Sequence, residues 1–264
     1  MKTLVNGIEI RYTDTGPADA MTVIFLHGFP FDRTMWQAQM ELLSGRCRVV
    51  AFDLRGHGDT QTGEEEFSMA LFARDLLCLM DALRIERAVL CGLSMGGYIA
   101  LNAVENHPER FTALILSDTQ CAADTPEAKA ARLSAVNAVK TDGVETFADT
   151  LVGKLFAPQT CVQNPDVVAA VREMIVNTPA RSLERSLLAM RERDETCSKL
   201  PEIKVPVLIL VGEEDTVIPA EAASYMKEHI THAHLSVIPG AGHLSNLENP
   251  AAFNAELEKF IAAL

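Results

Sequence analysis

Basic residues are scarce in this sequence of 264 residues. The chain has 23 Lys and Arg against 36 Asp and Glu, and its formal net charge is −13. A protein that binds nucleic acid needs a basic face to meet the phosphates, so we expect no nucleic-acid partner. An acidic small-molecule substrate is still compatible with this charge, because a pocket can be locally basic.

Long apolar runs are absent as well. No stretch is long enough to span a bilayer, and the residues after Met1-Lys2 alternate like a strand instead of forming the apolar core of a signal peptide. The sequence therefore predicts a protein without a membrane partner, and we expect it in the cytoplasm.

Paired cysteine motifs are the third absence. The sequence has six cysteines but no C-x-x-C pair, and most of them lie within apolar runs. The six are Cys47, Cys78, Cys91, Cys121, Cys161 and Cys197. Isolated cysteines in apolar runs are typical of a cytosolic protein. We therefore expect reduced, buried thiols.

Strand-like and helix-like patterns alternate over most of the chain. Asn6-Gly7 lies between two short strand patterns and suits the positive φ angles of a tight hairpin turn. Further along, unbroken apolar runs typical of strands buried on both faces alternate with helical patterns. These runs are Thr22 to Leu26, Arg48 to Phe52, Arg87 to Cys91, Ala113 to Ser117 and Val205 to Val211. The alternation predicts an α/β fold with a mostly parallel, doubly wound sheet.

The alternation stops after Asp118, where only helical patterns follow for about eighty residues. Three helix starts pair an N-cap side chain with a proline at the first helical position. They are Thr125-Pro126, Asn164-Pro165 and Thr178-Pro179. We therefore predict an α/β core formed by residues 1–118 and 201–264, with residues 119–200 inserted as a helical cap.

A serine flanked by glycines follows one of the predicted buried strands. The segment Gly92-Leu93-Ser94-Met95-Gly96 has the G-x-S-x-G pattern of a nucleophile elbow, with a strand before it and a helix after it. Because the chain reverses sharply at Ser94, the residues two positions away on either side must be small. The helix that begins near Met95 directs its free N–H groups at whatever Ser94 holds. Ser94 is the predicted nucleophile.

Serine is a poor nucleophile at neutral pH, so Ser94 needs a general base and an acid that orients the base. Later strands are followed by Gly212-Glu213-Glu214-Asp215 and by Gly242-His243. The loops after parallel strands gather at one edge of a sheet, so Ser94, Asp215 and His243 are expected to meet. Asp118, which follows the preceding strand, is the alternative acid.

These motifs give the chain a resemblance to the α/β-hydrolase superfamily along nearly its whole length. The segments that carry it are His27-Gly28-Phe29-Pro30, Asp53-Leu54-Arg55-Gly56-His57-Gly58, the serine elbow, Gly212 to Asp215 and Gly242-His243. The resemblance implies an oxyanion hole formed by the backbone N–H groups of Phe29 and Met95. It also implies catalysis without cofactor or metal.

Within the superfamily, these motifs and the segment Ser117-Asp118-Thr119 at the start of the cap make the chain similar to small carboxylesterases and 3-oxoadipate enol-lactonases. This similarity implies hydrolysis of a small carboxylic ester or lactone through an acyl-serine intermediate. A carbon–carbon bond hydrolase and a cofactor-free perhydrolase use the same triad and are the alternatives. A non-hydrolytic binding or signalling protein of the same fold is a further alternative.

Several other side chains have competing interpretations. Leu93 and Trp36 are candidate walls of a substrate pocket, although core packing is equally expected for Trp36. His27 and His57 are expected to brace loops through hydrogen bonds. Arg55 is expected to fix loop geometry with Asp53, or alternatively to reach a substrate.

Three histidines near the C-terminal part of the chain suggest a zinc site at first sight. They are His229, His232 and His234. No carboxylate or cysteine stands at ligand spacing from them, so we expect a solvated boundary between a helix and a strand, and no metal.

Overall fold

An eight-stranded sheet organises the protein, whose structure is a computed structural model that describes residues 1–264. The strands are β1 (Lys2–Val5), β2 (Ile8–Thr15), β3 (Thr22–Leu26), β4 (Arg48–Phe52), β5 (Ala88–Leu93), β6 (Phe111–Ser117), β7 (Val207–Gly212) and β8 (His234–Ile238). Their order is β1-β2-β4-β3-β5-β6-β7-β8. Strand β2 pairs antiparallel with β1 and β4, and all other pairs are parallel. The predicted mostly parallel sheet is confirmed.

Strand β5 lies in the middle of the parallel part, between β3 and β6. Every residue of β3, β5 and β7 is buried, as expected for strands covered on both faces. The residue that follows β5 is Ser94, so the central strand delivers the serine to the carboxyl edge of the sheet, where ligands bind in such folds.

Ten α-helices accompany the sheet. They are α1 (Gln37–Leu43), α2 (Met69–Ala82), α3 (Met95–Asn106), α4 (Pro126–Leu155), α5 (Pro158–Gln163), α6 (Pro165–Asn177), α7 (Ala180–Arg191), α8 (Ala220–His229), α9 (Ser245–Glu248) and α10 (Pro250–Ala262). The side chain of Ser68 caps α2 by accepting a hydrogen bond from the Leu71 amide at 3.0 Å. Thr125 caps α4 in the same way. No helix combines the length and hydropathy needed to cross a membrane.

Helices α4 to α7 fill the interval between β6 and β7, and this interval contains no strand. Helix α4 is interrupted at Gly143, whose φ of 84° is not helical. Two of the three predicted caps differ. Helix α6 begins at Pro165 as predicted, but the side chain of Asn164 makes no capping hydrogen bond. Helix α7 begins at Ala180, and Thr178 does not cap it. The Thr178 hydroxyl, at the C-terminal end of α6, instead lies 3.0 Å from the carbonyl oxygen of Met174 and 3.1 Å from that of Pro30, in the loop after β3. Thr178 thus ends α6 and does not begin α7.

The expectation of six reduced, buried thiols is wrong. Cys121 and Cys197 form a disulfide across a sequence separation of 76 residues, and Cys161 is exposed. The sequence gives no local signal for this pair, because the two cysteines meet only where the chain returns from α7 to the sheet. The disulfide joins the two ends of the helical interval. It also removes the support that the cysteine pattern gave to a cytoplasmic location, because disulfides are typical of oxidising compartments.

Trp36 belongs to the hydrophobic core. Its side chain has no exposed surface, and its ring centroid lies 4.8 Å from that of Phe25 on β3 and 6.1 Å from that of Phe253 on α10. Packing between the sheet and α10 therefore accounts for the single tryptophan, as the core alternative had it.

Candidate active site

The backbone of Ser94 has the strained conformation of a sharp turn. Its φ of 53° and ψ of −114° are rare for a residue with a side chain. A Cβ atom on Gly92 would collide with the backbone of Gly96, and one on Gly96 would collide with the carbonyl of Leu26. The two glycines of the motif are therefore required by close backbone approach.

Two further hydrogen bonds tie this turn to the end of β6. The Ser94 amide donates to the Ser117 carbonyl at 2.9 Å, and the Ser94 carbonyl accepts from the Thr119 hydroxyl at 2.8 Å. The sequence placed Thr119 at the start of the helical interval but predicted no role for it at the serine. Its only signal is its position directly after Asp118, where the chain leaves the sheet.

Ser94, His243 and Asp215 form a continuous chain of hydrogen bonds. The Oγ of Ser94 lies 2.9 Å from Nε2 of His243, and Nδ1 of His243 lies 2.8 Å from Oδ2 of Asp215. The side chains of His243 and Asp215 are 3% and 1% exposed. The second oxygen of Asp215 accepts from the amides of Val217 and Ile218 at 2.8 and 3.0 Å, so the carboxylate cannot rotate freely.

The surroundings of His243 favour a charged imidazole. Burial by itself lowers the pKa of His243, but the hydrogen bond and charge of Asp215 outweigh it, and Asp118 and Glu248 add to them. The pKa of His243 is therefore raised above its ordinary value. A base that is stabilised in its protonated form accepts a proton more readily.

Asp118 lies close by but makes no hydrogen bond with His243. Its carboxyl group accepts from the Gly212 amide at 2.8 Å and from the hydroxyls of Ser117 and Ser245 at 2.7 and 2.5 Å. Burial, with repulsion from Asp215, raises the pKa of Asp118 to about 7. The alternative acid is thus occupied in linking β6, β7 and the segment after His243.

The two expected oxyanion-hole amides belong to the loop after β3 and to the first residue of α3. Phe29 belongs to a turn in which the Phe31 amide donates a hydrogen bond to the Gly28 carbonyl at 3.0 Å. The Phe29 amide itself donates to no backbone group. Met95 is the first residue of α3, so its amide has no acceptor within the helix. Both N–H groups are available to a ligand. Leu93 is fully buried and packs beneath Gly28.

His27 and His57 hold loops, as the sequence predicts. The Nδ1–H of His27 donates to the Gly28 carbonyl at 2.8 Å, and Nε2 accepts from the Leu54 amide at 2.9 Å. Burial lowers the pKa of His27, and it lowers that of His57 to about 3. Both rings are therefore neutral near pH 7.

Arg55 is engaged inside the protein. Its guanidinium forms a buried ion pair with Asp75 of α2, with N–O distances of 2.7 and 2.8 Å. It also donates to the carbonyl of Asn6 in the β1–β2 turn. Asp53 accepts from the amides of Arg33 and Asp59. The structure thus matches the loop-fixing interpretation of Arg55 and Asp53.

The three histidines near β8 point to separate partners. His229 and His232 contact the carbonyls of Tyr225 and Val205, and His234 lies 3.7 Å from Glu256. They form no shared cluster, and no group of three or more His, Cys, Asp or Glu side chains is arranged to hold a metal.

The chain belongs to the family described as alpha/beta hydrolase fold, whose sequence pattern matches residues 22–250. Among its relatives is 3-oxoadipate enol-lactonase 2 of Acinetobacter baylyi. The two are 31% identical over 251 residues, which are 95% of this chain and 92% of the relative.

Solved structures agree with this family. An esterase from Thermogutta terrifontis has a TM-score of 0.93 and 35% identity, covering 99% of this chain and 96% of its own. An enol-lactonase from Burkholderia xenovorans also has a TM-score of 0.93, with 28% identity over 99% of this chain and all of its own. The predicted resemblance is thereby confirmed at the level of the family and fold.

Proposed function

We propose that the protein is a serine hydrolase that cleaves small carboxylic esters or lactones through an acyl-serine intermediate. The observation that carries the proposal is the chain of hydrogen bonds from Ser94 through His243 to Asp215. The relatives named as esterases and enol-lactonases support the substrate class.

In this mechanism, Nε2 of His243 takes the proton of the Ser94 hydroxyl as Oγ attacks the substrate carbonyl. Asp215 keeps the imidazole in the correct tautomer and stabilises its positive charge. The oxyanion of the tetrahedral intermediate accepts hydrogen bonds from the amides of Phe29 and Met95, each contributing about 3 kcal/mol. His243 then gives its proton to the leaving oxygen.

A lactone and an ester differ only in where the leaving oxygen goes. In an ester it departs as an alcohol, whereas in a lactone it remains attached to the acyl group, and the ring opens. In both cases, water activated by His243 then attacks the acyl-serine and restores the Ser94 hydroxyl. The chemistry needs no cofactor or metal.

We also propose that residues 119–200 act as a cap over this site, set on a core of residues 1–118 and 201–264. Three contacts support the proposal. The ring of Phe147 on α4 lies edge-on to that of Phe29 at 6.4 Å, the hydroxyl of Ser186 on α7 lies 3.4 Å from His57, and the His243 amide donates to the Leu155 carbonyl at 2.8 Å.

The proposed function is tested with the variant Ser94→Ala. We expect wild-type protein to hydrolyse p-nitrophenyl acetate and butyrate and to be labelled by a fluorophosphonate, and Ser94→Ala to lose labelling and more than about 10⁴-fold of kcat. Ser134→Ala, at an exposed hydroxyl on α4, is the matched control and should keep full activity. Turnover that survives in Ser94→Ala, or a wild type inert towards every ester and lactone, contradicts the proposal.

Comparison of kcat/KM for 3-oxoadipate enol-lactone with kcat/KM for the aryl esters distinguishes a lactonase from a carboxylesterase. If the protein is a lactonase, 3-oxoadipate enol-lactone is cleaved more efficiently than the aryl esters. The opposite order identifies a carboxylesterase and removes the lactonase assignment.

A further inference from the structure

A buried carboxylate next to the histidine loop takes no part in the proton transfers and bond changes described above. Glu248 is the last residue of α9 and is 9% exposed. It lies five residues after His243 in the sequence, and its two oxygens accept four hydrogen bonds from the protein. Four donors match the lone pairs of an ionised carboxylate, which only accepts.

One oxygen of Glu248 holds the backbone on both sides of His243. Its Oε1 accepts from the Gly242 amide at 2.9 Å and from the Leu244 amide at 3.2 Å. The histidine is thus the middle residue of a three-residue segment whose two ends are anchored to the same atom. Hydrogen bonds to an ionised acceptor are about twice as strong as neutral ones.

The other oxygen of Glu248 holds the helical interval between β6 and β7. Its Oε2 accepts from the Ala157 amide at 2.8 Å and from the Thr160 hydroxyl at 2.7 Å. Packing is close at this point, since a Cβ atom on Gly242 would lie 2.6 Å from the nitrogen of Ala157. Together with the bond from the His243 amide to Leu155, these contacts join the histidine loop to residues 155–160.

We propose that Glu248 is a positioning residue for His243, and that it couples the histidine to residues 155–160 of the cap. The inference rests on the proposed function, in which His243 is the base. Capping of the short helix α9 explains only the bond from the Leu244 amide. Capping of α9 does not account for the bonds from Ala157 and Thr160, which lie on a segment distant in the sequence.

The main test is Glu248→Gln, which keeps the shape of the side chain. Glutamine has one acceptor oxygen, so its NH₂ group must face either the two amides of the histidine loop or the Ala157 amide and the Thr160 hydroxyl. A rotated hydroxyl can accept from NH₂ but a backbone amide cannot, so at least one anchoring bond is lost. We expect kcat for p-nitrophenyl butyrate to fall about 10- to 100-fold, because small displacements of a catalytic group have effects of this size. KM should change less than about threefold, since substrate contacts are untouched.

Glu213→Gln is the matched control. Glu213 accepts a hydrogen bond at 2.9 Å from the amide of Gly240, in the loop that carries His243, but its side chain is exposed and accepts no other hydrogen bond. We expect its kcat to match the wild type. An equal loss in both variants would overturn the coupling and indicate general sensitivity of the loop.

The dependence of kcat/KM on pH distinguishes a change at His243 from partial unfolding as the cause of lower activity in Glu248→Gln. The groups that face His243 are Asp215, Asp118, Glu248 and the Ser94 hydroxyl. Because the charge of Glu248 helps to raise the pKa of His243, its removal lowers that pKa. The ascending limb of kcat/KM in Glu248→Gln should therefore move to lower pH, whereas partial unfolding lowers the plateau without moving the limb.

Thr160→Val tests the link to the cap without touching the histidine loop. Hydrogen exchange at the Gly242 and Leu244 amides should become about fivefold faster, the effect of weakening one hydrogen bond of average strength in a connected network. Unchanged exchange at these amides would overturn the coupling.

The exchange measurement does not depend on turnover. If Ser94→Ala keeps its activity while Glu248→Gln and Thr160→Val still speed exchange at Gly242, the proposed function fails and the coupling stands. If Ser94→Ala is inactive and exchange is unchanged, the reverse holds.

Discussion

Asp215 and Asp118 are two buried carboxyl groups near one histidine, and they differ in what they accept. Asp215 accepts from the His243 ring, and its other oxygen is held by backbone amides. Asp118 is saturated by an amide and two hydroxyls, all from the protein framework. Asp215 is therefore hydrogen-bonded to the histidine and Asp118 to the surrounding backbone and hydroxyls, although each residue follows a strand at the same edge of the sheet.

We expect Asp215→Asn and Asp118→Asn to behave differently. Asp215→Asn should lower kcat about 10³- to 10⁴-fold, because an amide neither holds the imidazole tautomer nor stabilises its charge. Asp118→Asn should keep kcat within about tenfold, since an amide and rotated hydroxyls can preserve its hydrogen bonds. Kinetics of both purified variants on p-nitrophenyl butyrate measure the difference.

The pH dependence of Asp118→Asn provides a second measurement. Negative charge on Asp118 raises the pKa of His243, and the pKa of Asp118 itself is about 7. Without that charge, His243 loses its proton at lower pH, so the ascending limb of kcat/KM should shift downward. Loss of turnover in Asp118→Asn alone would reverse the assignment of the acid.

Residues with their own local motif were predictable, and residues defined by distant contacts were not. Ser94, Asp215 and His243 each follow a strand within a recognisable glycine-containing segment, and the structure brings the three within hydrogen-bond distance. Glu248 carries no such signal, because two of its donors lie 91 and 88 residues away in the sequence. Thr119 is similar, since its partner is the carbonyl of Ser94.

At the scale of elements, apolar runs and capping residues predicted the strands and most helix starts. The predicted strand from Arg48 to Phe52 has the bounds found in the structure. Thr178 shows where such reasoning ends. A hydroxyl before a proline can cap the following helix or bond to a carbonyl of the preceding one, and Thr178 faces the carbonyls of Met174 in α6 and of Pro30.

The disulfide between Cys121 and Cys197 should stabilise the fold by closing the helical interval at its base. A loop of this length is restricted in the unfolded chain, so Cys121→Ala with Cys197→Ala should lower the free energy of unfolding by about 2 to 4 kcal/mol. Urea unfolding of the oxidised wild type and the double variant measures this change.

Cys161→Ala is the control for this experiment, because Cys161 is an exposed free thiol in the same helical interval. Its unfolding midpoint should match that of the wild type. A double variant as stable as the wild type, or a wild type whose midpoint is unaffected by reductant, would contradict a stabilising disulfide.

At the scale of the whole molecule, positive charge in the interior is already neutralised. The buried arginines pair with carboxylates of the protein itself, as Arg55 does with Asp75 and Arg193 with Asp124. The net charge of −13 therefore produces a negative electrostatic potential around the protein. This potential repels an anionic substrate, over a distance that shortens as the ionic strength rises.

This potential predicts that two substrates of the proposed activity respond differently to salt. 3-Oxoadipate enol-lactone carries a free carboxylate, whereas p-nitrophenyl acetate is neutral. Raising the ionic strength from about 0.01 M to about 0.15 M shortens the screening length from about 30 Å to about 8 Å. Steady-state kcat/KM for the lactone should then rise a few-fold and that for the ester stay constant. If the lactone value falls instead, an unpaired basic group near Ser94 attracts the carboxylate more strongly than the whole molecule repels it.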